Sequence, residues 1–525
     1  MIVVVKKDVH IMPNDGERPA QFAERVGHEY AAQSFVGDKK NKGQFFTPLP
    51  ISKFMGSLSG IVKKGTISIL DPGCGSGILS CSLIEHLIET SPIKDVVLTV
   101  FETDLALIPF TECVLSYLKS WCSNHNIHLS YSIHQNDFVL EKSQCLDEQN
   151  SIFSELFYDE KFDIIISNPP YFKLSKDDVR TKSCNSIVDG QTNIYALFMA
   201  ISAKLLNDDG IMIFITPRSF TSGRYFQSFR DFLFKNVNIN FIHLFNTRKD
   251  TFAKDEVLQE LVIMRLQASK RKASDIVVSY SQGISDLSCP YQKKYPSIDI
   301  VDVSSDKKII YLPVDQRDEA VLNLFRSWTG NMRQYNIQIS TGPVVAFRAY
   351  DHITDEPEIG SVPLYWLHNV VKMLCDHSVK KKNKGQYIRV LPETQSTLLP
   401  NKNYVLLRRF SSKDDSSRLI AAPYFGNMTQ YEFVGIENKL NYIYRPNGRL
   451  KRDEVIGLAA LLNSDLFDAY FRTFNGNINV SATELRIMPL PPIETIREIG
   501  RKIILRNDYS LEYINDLVLK YFNIR

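Results

Sequence analysis

The chain has 525 residues, of which 23% are charged and 44% are hydrophobic, and this balance excludes wholesale disorder. The length predicts about three or four domains of ordinary size, or two large ones. A net charge of +3 does not by itself indicate a polyanion partner, so a nucleic-acid surface would require local clusters of basic residues.

Cysteine spacing and hydropathy restrict the class of protein. None of the eight cysteines forms a C-x-x-C pair, and the Cys and His residues lack the spacing of zinc ligands. We therefore expect no metal and a reducing, cytoplasmic compartment. The N-terminus is a poor match to a signal peptide, because its lysines follow its apolar run. No apolar run approaches the roughly 18–20 residues of a membrane span, so we expect no membrane association.

The first half of the chain has an alternating pattern. Residues 1–40 are polar and mixed, and they predict an arm or a small helix. From 44 to 266 short β-branched runs alternate with helical stretches, which predicts a parallel, doubly wound α/β sheet. We expect the last two runs to form an antiparallel hairpin at one edge. The predicted strands are 66–70, 96–101, 163–167, 211–215, 241–245 and 261–265, with helices at 77–89 and 193–206 among those between them.

The second half of the chain loses this alternation. Polar segments between 267 and 310 predict a connector. Beyond 310, short strands, frequent turns and one late helix over 453–474 predict a mixed α+β domain. The expected organisation is therefore an N-terminal arm at 1–40, an α/β domain at 41–310 and a second domain at 311–525.

A glycine-rich turn, D-P-G-C-G-S-G at 71–77, follows the first predicted strand and opens a helix. Gly73, Gly75 and Gly77 allow a ligand to approach the backbone closely. No lysine follows, so the turn is not a P-loop. Asp71 would repel a pyrophosphate but would attract a ligand's ammonium group.

Two further elements extend this pattern. Glu102 ends the next strand, where a carboxylate is placed to bind two ribose hydroxyls. Asp137 and Phe138 then offer a carboxylate and a ring that suit the edge and face of an adenine. Taken singly, each glycine is also typical of a tight turn and each acid of a solvated loop; their order along the chain favours a nucleoside site.

The tetrapeptide N-P-P-Y at 168–171 follows another apolar strand directly. With the glycine-rich turn and the leading segment G-Q-F-F-T-P at 43–48, it resembles the gamma-class amino-group DNA methyltransferases, which act on adenine N6 with S-adenosylmethionine (SAM). The usual turn sequence there is D-P-A-C-G-S-G, and this chain has Gly73 in place of alanine. The segments V-L-Q-E at 257–260 and S-T-G-P-V-V at 340–345 look like modification methylases of the BsuBI/PstI group.

The resemblance implies a Rossmann-like SAM-dependent catalytic domain and a C-terminal target-recognition domain. It assigns the cofactor to Phe46, Thr47 and Pro48 in addition to Asp71, the three glycines, Glu102, Asp137 and Phe138. Adenine N6 is a weak nucleophile, and the Asn168 side chain and the Pro169 backbone each offer a carbonyl that accepts one N6–H. Pro170 stiffens the turn. A flipped base needs an aromatic face, which Tyr171 and Phe252 can supply. At helical spacing, Tyr195 and Phe198 favour core packing.

Double-stranded DNA is the implied substrate, and a separately encoded restriction endonuclease is a candidate partner. Basic residues of the C-terminal region would contact the DNA. The residues chosen are Arg348, Lys381, Lys382, Arg408, Arg409 and Arg449.

Three other functions remain open. RNA or protein-glutamine methyltransferases also carry N-P-P-Y, but they usually lack a large C-terminal region. A fused restriction–modification enzyme that cuts DNA would need about 100–200 residues before the catalytic part, and only about 40 precede Gly43. A non-enzymatic specificity protein on a decayed fold is disfavoured by the intact Asp71, Glu102 and Asn168.

Overall fold

The computed structural model describes residues 11–33, 46–146, 160–188, 192–245, 260–268, 274–411, 416–476 and 479–524. Cα packing divides the chain into two compact units, Met1–Leu312 and Pro313–Arg525. Within the described ranges, no helix has both the length and the apolar character needed to cross a membrane.

A mixed β-sheet with nine described strands forms the centre of the first unit, in the order β11-β10-β8-β9-β7-β4-β1-β2-β3. The predicted parallel α/β sheet is confirmed, since β3, β2, β1, β4 and β7 pair in parallel. The strands of the first unit, including a separate two-stranded pair (β5 and β6), are β1 Thr66–Pro72, β2 Asp95–Phe101, β3 His128–His134, β4 Phe162–Ser167, β5 Lys173–Leu174, β6 Thr192–Asn193, β7 Leu206–Pro217, β8 Asn238–Phe245, β9 Leu261–Gln267, β10 Asp275–Ser281 and β11 Tyr291–Pro296.

The order of strands reverses at β1. The chain moves outward from β1 through β2 to β3, and then returns to place β4 on the other side of β1. At such a switch point the connections leave in opposite directions, which opens a crevice at the carboxyl ends of the strands. The structure therefore provides a ligand site beside β1 and β4 as a consequence of its topology.

Two predictions about the distal side of the sheet were wrong. β8 and β9 do pair antiparallel, but β9 lies between β7 and β8, and the sheet continues through β10 and β11. The described residues 274–310 therefore include two strands of the sheet and are not a connector throughout. Alternate residues of β10, such as Ile276 and Val278, are buried, so this strand has its own core-facing side.

Helices cover the sheet, and one of them comes from the predicted N-terminal arm. Ala20, Phe22 and Val26 of that helix are fully buried in the core. Arg18 is joined to the buried Glu85 by an ion pair of 3.0 Å. The helices of the first unit are α1 Pro19–Gln33, α2 Leu49–Ser57, α3 Ile78–Thr90, α4 Ile108–Asn124, α5 Phe138–Lys142, α6 Val179–Ser183, α7 Ile194–Lys204, α8 Gln227–Asn236 and α9 Ser297–Ile300, with 3-10 turns at Ser143–Leu146, Arg218–Thr221 and Arg224–Phe226.

The second unit is mixed α and β, with two larger sheets in the described residues, β12-β22-β19-β20 and β13-β17-β14-β21-β18. Its strands are β12 Gln338–Thr341, β13 Ile353–Thr354, β14 Ser361–Tyr365, β15 Val370–Val371, β16 Leu374–Cys375, β17 Tyr387–Arg389, β18 Leu398–Pro400, β19 Tyr404–Arg408, β20 Ala421–Tyr424, β21 Phe433–Ile436 and β22 Leu440–Tyr444. Its helices are α10 Gln316–Ser327, α11 Pro392–Gln395, α12 Arg452–Asn463, α13 Asp465–Phe474, α14 Ala482–Arg486, α15 Ile493–Arg506 and α16 Leu511–Phe522, with 3-10 turns at Tyr350–His352 and Leu367–Asn369.

The late helix predicted over 453–474 is two helices. Ser464 has an extended backbone and its hydroxyl accepts a hydrogen bond from Phe467 N, so it caps α13. The preceding Asn463 bonds through its side chain to both Ala421 N and Ala421 O of β20. α12 therefore ends where Asn463 bonds to β20 and Ser464 caps α13.

Candidate functional site

The carboxyl ends of β1 to β4 surround a cavity of about 420 Å³, which is within the roughly 300–1,000 Å³ of small-molecule sites. Each of these four strands delivers residues to its wall at the point where the strand ends. The lining residues are Phe46, Gly73, Gly75, Phe101, Glu102, Thr103, Asp104, Leu107, Asn136, Asp137, Phe138, Asn168, Pro170, Phe172, Arg180, Ile194 and Phe198.

The glycine-rich turn forms one wall of this cavity. Gly73 N and Cys74 N both donate to Phe101 O at 2.9 Å, which ties the turn to the end of β2. Gly73 and Gly75 have φ of 96° and 57°, a backbone region that disfavours side chains. A Cβ on Gly75 would lie 3.6 Å from the ring of Phe46. The turn thus keeps its left-handed conformation and stays open to the cavity.

Gly77 and Asp71 lie beneath the turn. Gly77 precedes α3, and a Cβ there would face Leu115 at 3.5 Å. Asp71 is fully buried, and its Oδ2 accepts a hydrogen bond of 2.7 Å from Ser80. Burial raises the pKa of Asp71 to about 7 despite this bond. Of the described residues, those that line the cavity include neither Asp71 nor Gly77.

Glu102 lies at the carboxyl end of β2 and is 7% exposed. Its Oε2 accepts from Gly75 N at 3.1 Å and its Oε1 accepts from Asp104 N at 2.7 Å. Burial raises the pKa of Glu102, and the backbone hydrogen bonds from Asp104 and Gly75 oppose this shift. Each oxygen keeps a further lone pair, so the carboxylate is fixed and can still accept bonds from a ligand.

Asp137 and Phe138 continue the wall after β3. Asp137 caps α5 through an Oδ1 that accepts from Leu140 N at 3.2 Å, and its Oδ2 lies 3.6 Å from the guanidinium of Arg180. Phe138 contacts Phe101 and Phe198 edge-on or tilted, at centroid distances of 5.2 and 5.1 Å. Acid and ring are therefore adjacent at the same wall.

The tetrapeptide after β4 contains an amide that is hydrogen-bonded at both its nitrogen and its oxygen. Asn168 Nδ2 donates to Thr47 Oγ1 at 3.0 Å, while Asn168 Oδ1 accepts from the hydroxyl of Tyr171. The same hydroxyl lies 2.9 Å from Ile215 O. Burial raises the pKa of Tyr171 well above its ordinary value, so it remains a donor. The amide of Asn168 is held from both sides and faces the cavity.

The structure brings most of the predicted cofactor and catalytic residues to this region. Phe46, Glu102, Asp137, Phe138, Asn168, Pro170 and two of the three glycines line the cavity. Thr47 reaches it through Asn168, and Pro48 precedes α2. Pro169 and Tyr171 belong to the turn but, in the described part of the chain, are not lining residues. Phe252 lies outside the described residues.

Sequence reasoning missed several lining residues, among them Asp104, Phe172, Phe198 and Arg180. Asp104 lies two positions after Glu102, and its Oδ2 accepts from Tyr30 of α1 at 2.7 Å; the E-x-D spacing at a strand end was an available signal. Phe172 follows the tetrapeptide directly. Phe198 was predicted to be core, and it is buried, yet it also lines the cavity. Arg180 meets Asp137 only in the folded chain, so no local pattern marks it.

The predicted DNA-contacting residues lie in the second unit and differ in exposure. Arg348, Lys381, Lys382 and Arg449 are exposed. Arg408 Nε instead donates to Val370 O at 2.6 Å, and Arg409 Nη1 donates to Asn438 O at 3.0 Å. No group of three or more His, Cys, Asp or Glu side chains in the described residues is arranged to hold a metal ion.

Fold and site together define the class. A parallel sheet with a switch point at β1, one antiparallel strand inserted beyond β7, a glycine-rich turn and an acid at the end of β2 are the features of the Rossmann-like methyltransferases. The predicted fold class is confirmed.

Comparison with known proteins then identifies the family. Residues 97–252 match the Eco57I restriction-modification methylase family. Type II methyltransferase M.BsuBI of Bacillus subtilis is 32% identical over 89% of this chain and 91% of its own length. M.PstI of Providencia stuartii is 28% identical over 88% of this chain and 89% of its own length. The chain therefore belongs to the type II methyltransferase family, the modification enzymes of restriction–modification systems.

A solved structure shows the fold over nearly the whole chain. The type IIL restriction-modification enzyme MmeI, solved in complex with DNA, has a TM-score of 0.53 and covers 97% of this chain and 79% of its own. At 12% identity this likeness concerns the fold alone.

Proposed function

We propose that this enzyme transfers the methyl group of SAM to N6 of an adenine flipped out of double-stranded DNA. It would act as the modification component of a restriction–modification system, beside a separately encoded restriction endonuclease. The observation that carries the proposal is the amide of Asn168, fixed by Thr47 and Tyr171 at the wall of a nucleoside-sized cavity.

The chemistry of the target explains why a fixed amide is needed. The lone pair of adenine N6 is delocalised into the ring, so the amine is a poor nucleophile until its two N–H bonds are oriented. The side-chain oxygen of Asn168 and the backbone oxygen of Pro169 would each accept one of these bonds. Holding both donors leaves the nitrogen lone pair facing the cavity, and orientation of this kind lowers the barrier without a general base.

The lining of the cavity fits SAM. Among the described residues, three carboxylates, Glu102, Asp104 and Asp137, line it together with one arginine, Arg180, and this excess of acid suits a sulfonium and an ammonium group. Glu102 would accept bonds from the ribose hydroxyls, while the acid and ring at 137–138 would hold the adenine. When bound, SAM supplies a methyl group on a positively charged sulfur, which is reactive enough that no covalent intermediate with the protein is needed.

The part of the site that would hold the flipped adenine also needs an aromatic ring. Tyr171 follows the two prolines, and its hydroxyl is fixed next to Asn168, so its ring is held close to the amide. We propose that Tyr171, together with Phe252, supports the flipped base. Stacking of this kind is worth about 1–3 kcal/mol per base.

Sequence specificity would belong to the second unit. Arg348, Lys381, Lys382 and Arg449 are exposed there, and exposed basic side chains bind phosphates while some arginines read base edges. Arg408 and Arg409 would each have to break a hydrogen bond to a backbone carbonyl before they could contact DNA. We therefore expect the exposed group to contribute more to DNA affinity.

The proposal is tested by incubating the enzyme with labelled SAM and genomic DNA and by mapping modified bases through sequencing. We expect label on adenine N6 within one recurring sequence. The Asn168→Ala variant should lose nearly all methyl transfer while its SAM affinity, measured by calorimetry, stays within about twofold, because Asn168 orients the amine and does not hold the cofactor. Label on cytosine or protein, or near-normal turnover by Asn168→Ala, would contradict the proposal.

A further inference from the structure

An exposed arginine–tyrosine pair, Arg224 and Tyr225, lies on the loop that follows β7 at the catalytic edge of the sheet. Phe214 of β7 pairs with Ser167 at the end of β4. Since β7 ends at Pro217, it continues past the level of Asn168 by two residues, or about 7 Å. The loop 218–226 therefore extends above the edge that carries the tetrapeptide.

This loop is held in place by a buried cation. Arg230 of α8 is 1% exposed, and its Nη1 donates to Phe220 O and Gly223 O, both at 2.9 Å. Its Nη2 donates to Lys307 O at 2.9 Å. A buried guanidinium is costly unless its donors are satisfied. These bonds fix the loop backbone at Phe220 and at Gly223, on the N-terminal side of Arg224 and Tyr225.

Aromatic packing joins the same loop to the wall of the cavity. Phe226 stacks on Tyr195 at a centroid distance of 5.8 Å, and Tyr195 Oη lies 2.8 Å from Ser219 Oγ. The residue before Tyr195, Ile194, is itself a lining residue of the cavity. Loop and active site therefore share one rigid support.

The tip of this rigid loop is nevertheless open to solvent. Tyr225 is 70% exposed. Arg224 is exposed too, and within the described ranges it takes part in no ion pair. The ring of Tyr225 offers a flat face for stacking on a well-supported backbone. The guanidinium of Arg224 beside it can bind a phosphate.

We propose that Arg224 and Tyr225 contact the DNA strand that carries the target adenine, a role that rests on the proposed function. The guanidinium would bind a backbone phosphate near the flipped nucleotide. The tyrosine ring would stack on a neighbouring base or sugar that flipping leaves uncovered. The pair would thereby fix the position of the strand above Asn168, within the catalytic unit and separately from sequence reading by the second unit.

The test measures binding of the full-length protein to a duplex that contains the mapped site, by fluorescence anisotropy at several salt concentrations. Arg224→Ala should weaken binding and reduce the slope of log affinity against log salt by about 0.9, the value of one phosphate contact. Lys119→Ala removes an exposed charge from α4 away from this edge, and its slope should equal that of the wild type. Tyr225→Ala should weaken binding about tenfold, whereas Tyr225→Phe, which keeps the ring, should bind like the wild type.

Calorimetric SAM binding serves as the folding control for all four variants, because none of the three residues lines the cavity in the described structure. A wild-type salt slope in Arg224→Ala, or wild-type affinity in Tyr225→Ala, overturns this inference while leaving the proposed function intact if the wild type still methylates adenine. A wild type that transfers no methyl group to DNA overturns both.

Discussion

Asn168 can orient a substrate amine only if its own amide has one preferred orientation. Thr47 Oγ1 accepts from its Nδ2 at 3.0 Å, and Tyr171 donates to its Oδ1. Thr47 is 5% exposed, so water competes poorly for this bond. We therefore propose that Thr47 positions Asn168, whereas the family resemblance assigns Thr47 to the cofactor.

Thr47→Val keeps the size of the side chain and removes the acceptor. We expect kcat to fall about two- to tenfold, the value of one ordinary hydrogen bond, with SAM affinity unchanged. Thr47→Ser keeps the hydroxyl and should restore most of the turnover. Steady-state methylation and calorimetry on the same preparations separate the two roles. A loss of SAM affinity with normal kcat would assign Thr47 to the cofactor instead.

Glu102 is expected to hold the cofactor from the opposite wall. Its oxygens already accept from Gly75 N and Asp104 N, so the carboxylate is placed before any ligand binds. Glu102→Ala removes a charged acceptor worth roughly 1.5–3 kcal/mol, and SAM affinity should fall about ten- to a hundredfold. Glu112→Ala on the exposed side of α4 is the control. Equal calorimetric affinity in a folded Glu102→Ala variant would exclude this role.

At the scale of elements, the crossing of α12 and α15 is the tightest described in the second unit. A Cβ on Gly457 would lie 2.0 Å from Ile496 O, and one on Gly500 would lie 2.0 Å from Asp453 O. The buried Glu454 sits at the same crossing and accepts from Arg445 Nη1 at 2.7 Å and Arg497 Nη2 at 2.8 Å. Two helices thus approach to backbone contact around one satisfied buried charge.

This charge should make stability depend on pH. Burial alone would raise the pKa of Glu454, but hydrogen bonds from Arg445, from Lys451 N and from Arg497 lower it to about 2. Because the folded pKa lies below the unfolded value of about 4.3, the stabilisation is present above pH 4–5 and is lost as the pH falls toward 2.

Glu454→Gln should lower the free energy of unfolding at pH 7 by up to about 3 kcal/mol, since it leaves two partly buried guanidinium groups without their anion. The difference in the free energy of unfolding between the variant and the wild type, measured by denaturant titration, should decrease as the pH falls from 5 to 2. Asp516→Asn, which breaks an exposed pair with Lys520, should change little at any pH. If this difference in the free energy of unfolding stays constant down to pH 2, the pKa of Glu454 is not lowered.

The elements that the sequence predicted are those with strong local patterns. Alternating runs gave β1, β2, β4 and β7, and the first three of these strands end beside predicted site residues. The position of β9 between β7 and β8 depends on pairing between distant segments, which no local pattern contains. The start of a new helix at Ser464 could have been predicted, since serine is a common N-cap and Asp465 favours the first turn. Arg180 could not be predicted, because its contact with Asp137 crosses more than forty positions of the chain.

At the scale of the whole molecule, chemistry and sequence reading have different physical requirements. Catalysis needs a rigid sheet that fixes the cofactor and Asn168, and the first unit, Met1–Leu312, contains that sheet and the whole lining of the cavity. Reading several base pairs needs a broad surface with exposed basic side chains. In Pro313–Arg525, Arg348, Lys381, Lys382 and Arg449 are exposed, and we propose that they contact the DNA.

A chain of residues 1–312 should therefore keep SAM affinity and lose specific DNA binding. Its remaining association with DNA should be weak and should have a shallower salt dependence, because fewer phosphates are contacted. Calorimetric SAM binding reports folding, and methylation of the mapped site is compared with that of a scrambled duplex. In the full-length protein, Lys381→Ala combined with Lys382→Ala should reduce the salt slope by up to about 1.8 with SAM affinity unchanged. If the shortened chain still methylates only the mapped site, the surface that reads the sequence lies in the first unit, and the division between chemistry and recognition is wrong.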